Sequence, residues 1–125
     1  MTLNILNFIS KKLISADIPY CFKEWSNDIS DPYFVGEYSD NSSVNEDGES
    51  ESTFILTGTT VESSYSLEKY KEKVRKLFPD IGITDILSDG TAIAIMYDGA
   101  MMIPTNTDTI KRIQIKLKIK EWSVY

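Results

Sequence analysis

The closing run IKRIQIKLKIKEW, residues 110–122, alternates strictly from Arg112 onward. Ile113, Ile115, Leu117 and Ile119 fall on one side, and Arg112, Gln114, Lys116, Lys118 and Lys120 on the other. A period of two predicts a half-buried β-strand. Near the start, residues 3–15 place Leu3, Leu6, Ile9 and Leu13 on one helical face, with Ile5 and Phe8 broadening it. That spacing predicts an amphipathic helix that must pack on something, and Asp17 and Pro19 end it. IPYCFKEW (18–25) reads as a first strand, SNDISDP as a turn, YFVGEYS (33–39) as a second strand and STFILTGTTV (52–61), dense in β-branched residues, as a third.

Ser63 and Ser64 are N-cap candidates for a second helix, SYSLEKYKEKVRKLF, in which Leu67, Tyr70, Val74, Leu77 and Phe78 form one stripe. Glu68 sits early and Lys73, Arg75 and Lys76 late, as the helix dipole favours, and Pro79 stops the helix. TAIAIMY (91–97) is apolar on both phases, which predicts a central, covered strand. Asp98-Gly99 is a turn signal, with MMIPT as an extra short return strand. The order α-β-β-β-α-β-β predicts an α+β fold, a mainly antiparallel β-sheet with two helices packed on one face. At 125 residues the chain reads as a single domain, 1–125.

Charge adds one feature to this outline. The chain has 19 acids against 13 bases. From Glu37 to Glu51 there are six acids and no base, so the excess is local, and the segment 40–51 reads as a mobile acidic β-hairpin tip. An acidic balance argues against specific nucleic-acid binding. No run approaches the ~20 apolar residues of a membrane span. Lys11-Lys12 follow the first apolar stretch, the reverse of a secretory leader, so the expectation is a protein made inside the cell.

Chemistry is hard to find. With no histidine, Ser-His-Asp and Cys-His catalysis and every histidine-containing metal site are excluded. Cys21 is the only cysteine and falls in a predicted strand, where it reads as a small buried hydrophobe. An EF-hand loop begun at Asp40 fails at its fifth and sixth positions, Val44 and Asn45, although Glu51 fits the twelfth. No cofactor or metal is expected. Nothing in the spacing singles out a pair of carboxylates for acid–base work, so the chain is expected not to be an enzyme.

The basic strand face has three readings: a solvated face whose lysines discourage edge aggregation, a docking surface for an acidic partner, or a contact for nucleic-acid phosphates. The chain's own acids favour the second. The candidate interaction residues are therefore Arg112, Lys116, Lys118 and Lys120, with Glu46, Asp47, Glu49 and Glu51 of a neighbouring copy's hairpin as one partner.

IPYCFKEW, DPYFVGEY, NEDGESESTFILTGTT, SLEKYKEKVRKLF and the closing IKEW, in this order, resemble the tail terminator (tail completion) family of tailed phages and prophages of Gram-positive bacteria. The likeness spans nearly the whole chain. Its motifs are not catalytic, so no functional residue carries over. The resemblance implies a homomeric ring, commonly a hexamer, that caps the tail tube, stops its growth and meets the head connector. It implies partners in the tail tube protein and a head connector or neck protein, and a place in the virion tail or neck after synthesis in the bacterial host cytoplasm. Two other roles fit the residues: another head–tail neck or completion protein, or a monomeric acidic adaptor or regulator binding a basic protein.

Overall fold

The computed structural model describes residues 2–22, 31–41, 49–107 and 109–122. Its elements are α1 (Leu3–Ser15), β1 (Tyr20–Phe22), β2 (Tyr33–Asn41), β3 (Glu49–Thr60), α2 (Ser64–Leu77), β4 (Ile83–Ile86), β5 (Ala92–Ile103) and β6 (Lys111–Trp122). The strands form one six-stranded sheet in the order β1-β2-β3-β6-β5-β4, curved as a half-barrel. Every described pairing is antiparallel except β1 with β2, which run parallel. The fold is α+β with both helices on one face, as the element order predicts.

Thr2 caps α1 by accepting the Ile5 N–H. The buried stripe is Ile5, Ile9 and Leu13, at i, i+4 and i+8. Leu3, placed on that face by the sequence reading, is 71% exposed. Asp17 takes a left-handed conformation (φ 60°) where the chain leaves the helix. The first turn of α1 is tied to the β4–β5 turn through Asp89. Its carboxylate accepts from the Thr91 N–H (3.0 Å) and the Asn4 side-chain amide (3.2 Å). These donors, Thr91 foremost, hold the Asp89 carboxyl below the usual carboxylate range.

Ser63 caps α2 by accepting the Tyr65 N–H, and Leu67, Val74 and Phe78 are buried. No acid lies in the first turn of α2. Glu68 sits one turn further in and pairs with Lys71 instead of the helix dipole, whereas Arg75 and Lys76 do occupy the last turn.

Between helices and sheet lies one core: the helix stripes with Phe34, Phe54, Leu56, Ile93, Ile95, Ile113, Ile115, Leu117 and Ile119. Two glycines of the sheet make room in it for aromatic rings. A Cβ on Gly58 would fall against the ring of Phe34, its register partner, and one on Gly36 would come within 2.5 Å of Phe54 and 2.7 Å of Tyr20.

The largest departure from the sequence reading concerns the C-terminal half. β5 does not turn at Asp98-Gly99. The pair forms a β-bulge, with a register shift between Tyr97 and Ala100 and Gly99 at φ 110°, and MMI continues the same strand. A bulge inserts residues without ending the ladder, and glycine supplies the positive φ. Nor is β5 central: β3 and β6 are the middle strands, and β5 lies one in from the β4 edge. Its two-phase apolarity has another cause. On the helix-free side, Ala94 and Met96 stand opposite Lys120 and Lys118, and lysine stems cover apolar neighbours while their ammonium groups stay in water.

Candidate interaction surface

The face of the sheet away from the helices carries the features that the sequence reading singled out. On β6 the strict alternation sends Ile113, Ile115, Leu117 and Ile119 into the core. The same alternation puts Arg112, Gln114, Lys116, Lys118, Lys120 and Trp122 on the other face. Glu121 follows the inward phase: it is buried, opposite Ser50 on β3 and Ile93 on β5. The column of cations thus runs down a middle strand of the sheet. Because β6 has a neighbour on both sides, its lysines do not guard an edge.

Two of the four cations are matched within the chain. β3 lies beside β6, so acids at the start of β3 reach lysines at the end of β6. Lys118 Nζ is 3.3 Å from Glu51 Oε1, and Lys120 Nζ is 3.4 Å from Glu49 Oε1. Both are diagonal pairs, two positions off the direct register partner. This changes the expected pairing of the basic strand with a neighbour's hairpin. Glu49 and Glu51 already meet Lys120 and Lys118 of their own chain, while Glu46 and Asp47 lie outside the described residues. At the other end of the column, Arg112 Nε donates to Thr59 Oγ1 at 3.4 Å. Lys116 is exposed, and among the described residues it has no ion pair or hydrogen bond. The cations of this face that have no ion pair among the described residues are therefore Lys116 and Arg112 on the first half of β6, with Glu37 in the same row as Lys116.

An open groove of about 240 Å³ lies at that spot, lined by Asp98, Gly99, Ala100, Met101, Gln114 and Lys116. It lies at the bulge, where Gly99 carries no side chain. Its described lining holds one carboxylate, Asp98. The described ends of the acidic segment belong to a strand ladder. Asp40 and Asn41 pair with Ser52 and Glu51, and the Asp40 carboxylate accepts the Ser52 hydroxyl at 2.7 Å. A calcium loop of the EF-hand class would need helices on both sides of it.

Lys116 and Lys118 should therefore respond differently to charge reversal. Lys116→Glu is expected to leave thermal stability unchanged and to weaken binding to an acidic partner. Lys118→Glu is expected to lose its pair and face Glu51 with like charge, at a cost of ~0.2–1 kcal/mol in the isolated chain. Glu51→Lys in the Lys118→Glu background should recover that loss. Thermal melts and a binding titration on the same preparations separate the two effects, and equal destabilisation by both reversals would contradict the assignment.

No protein-family model matches the chain, and no curated protein does. Thirteen solved chains are similar to it; one of them, whose name describes no function, has a TM-score of 0.71. The match covers 100% of this chain and 99% of that one at 15% sequence identity, a likeness of fold alone.

Proposed function

We propose that this protein is a structural component of a phage virion: a tail terminator that forms a homomeric ring, caps the tail tube and joins it to the head connector. The observation that carries the reading is the helix-free sheet face. It has no described element packed over it, and it bears on a middle strand Lys116 and Arg112, two cations with no ion pair among the described residues. Such a face suits docking on an acidic surface, where several weak charge contacts set orientation. The resemblance of the chain's motif order to that of tail terminators supports the same role. A ring subunit needs a rigid sheet and complementary patches, not a catalytic cleft.

The test is direct. Purified protein added to freshly assembled tail tubes should block further extension and restore their joining to heads. Tubes that keep growing at saturating protein would refute the terminator role. Joining without any effect on extension would move the protein to the neck.

A further inference from the structure

Among the described residues, each edge of the sheet is stepped. At one edge, β1 covers only Phe34 to Gly36 of β2, leaving Glu37 to Asn41 without a neighbouring strand among the described residues. At the other, β4 covers only Ala92 to Ile95 of β5, leaving the part from Asp98 to Ile103 open in the same sense. The open stretches differ in character. β2's open part carries Glu37 and Asp40, and β4 itself carries an exposed Asp85 on the helix side, the kind of charge that keeps strand edges from pairing. From Gly99 to Ile103 there is no charge, and Met101 and Met102 are 54% and 41% exposed.

The strand registers run straight across the molecule. Tyr20 shares a row with Phe34, Gly58, Ile113 and Met102. Cys21 shares one with Val35, Thr57, Gln114 and Met101, and Phe22 with Gly36, Leu56, Ile115 and Ala100. β1 is therefore level with the open part of β5. The succession of one parallel and three antiparallel pairings makes β1 antiparallel to β5. The same rows put Ile83 and Thr84 of β4 level with Asp40 and Asn41 of β2.

From this we infer that the two edges are halves of one joint. The open part of β5 accepts β1 of a second copy of this chain, edge to edge and without slippage along the strands. Tyr20 and Phe22 of the incoming strand then meet Met102 and Ala100 on the helix side, and Cys21 meets Met101 on the open side. The backbone groups of the open edge are matched by an antiparallel strand, the faces agree, and the side chains brought together are apolar. The contact is heterologous, so each copy keeps a free edge of each kind, and repetition with rotation closes a ring. The joint rests on the ring reading for its closure, and it specifies which surfaces build the ring.

The lone cysteine provides the test. Within one chain Cys21 and Met101 lie four strand spacings apart, about 19 Å, beyond the ~7 Å limit for a disulfide. Across the joint they face each other at ~4.5–5.5 Å between Cα atoms. Mild oxidation of the full-length Met101→Cys protein should give a ladder of trimers and larger species on non-reducing gels. The unsubstituted protein and Met101→Cys combined with Cys21→Ser have one thiol each and should stop at dimers. Ile86→Cys, on the same face at the other end of the edge, should also stop there. Met102→Lys should remain folded and lose assembly. A ring seen by native mass measurement without the Met101→Cys ladder, or an equal ladder from Ile86→Cys, would overturn the joint and leave the ring reading standing. A chain that stays monomeric alone and on tail tubes would overturn both.

Discussion

Replacing Gly58 with alanine is expected to destabilise the protein by about 1–3 kcal/mol, although the change adds only a methyl group. Two effects oppose each other at this site. Alanine lowers the entropy of the unfolded chain, which favours folding by about 0.4–1 kcal/mol when the native backbone accepts it. Against this, the new Cβ would lie against the Phe34 ring, with Cδ1 and Cζ both 2.7 Å away. Ordinary carbon contacts need ~3.5–4.0 Å. The ring has little freedom to retreat: Phe34 is fully buried and makes an edge contact with Tyr70 of α2, centroids 5.4 Å apart. Relief would require moving α2 or the β2–β3 pairing, so the steric cost wins. In a domain of this size each kcal/mol shifts Tm by roughly 3–6 °C, so a fall of roughly 3–18 °C is expected. A double-mutant cycle checks the cause. Phe34→Leu should cost stability alone, but Gly58→Ala should be much less harmful in that background, giving a coupling of ~0.5–3 kcal/mol. A neutral Gly58→Ala would mean that the ring and the strand are not locked as described.

That glycine also marks where sequence reasoning stopped. The helices and long strands were legible because their periods are clean: the alternation of β6 survives nearly intact, and α2 is capped by Ser63 as its sequence suggests. Gly36 and Gly58 carried no local signal, because what requires them is a ring from another strand. β4 was missed for a similar reason. ITDI spans four residues with no alternation, and it becomes a strand only because β5 offers it an edge. The Asp98-Gly99 dipeptide misled in the opposite direction, since the same residues suit a tight turn and a bulge, and only the uninterrupted partner strand decides between them. At the candidate surface, the cation column was visible as a pattern. Its neutralisation at Lys118 and Lys120 was not, since that depends on which strand lies beside β6.

If the chain is the tail terminator proposed above, a phage lacking it is expected to make full heads and separate tails, many of them longer than normal. The argument is geometric. A tail tube grows by repeating a contact that does not close on itself, so nothing within that contact sets an end. Growth stops only when the end is occupied by a subunit that accepts the tube on one side and presents a different surface on the other. The helix layer and the bare basic sheet face give this chain two unlike sides, the asymmetry a cap needs. Stepped edges at right angles to those sides would let copies join around the tube while both sides remain free. Since a whole ring surface would meet the tube, reversal of Lys116 alone should lengthen only a minority of tails, whereas Met102→Lys, which acts on every joint of the ring, should approach the deletion. Electron microscopy of lysates, scored for tail length and attached heads, distinguishes the outcomes. Tails of normal length that fail to attach would place the protein between tail and head, and normal virions would remove it from assembly altogether.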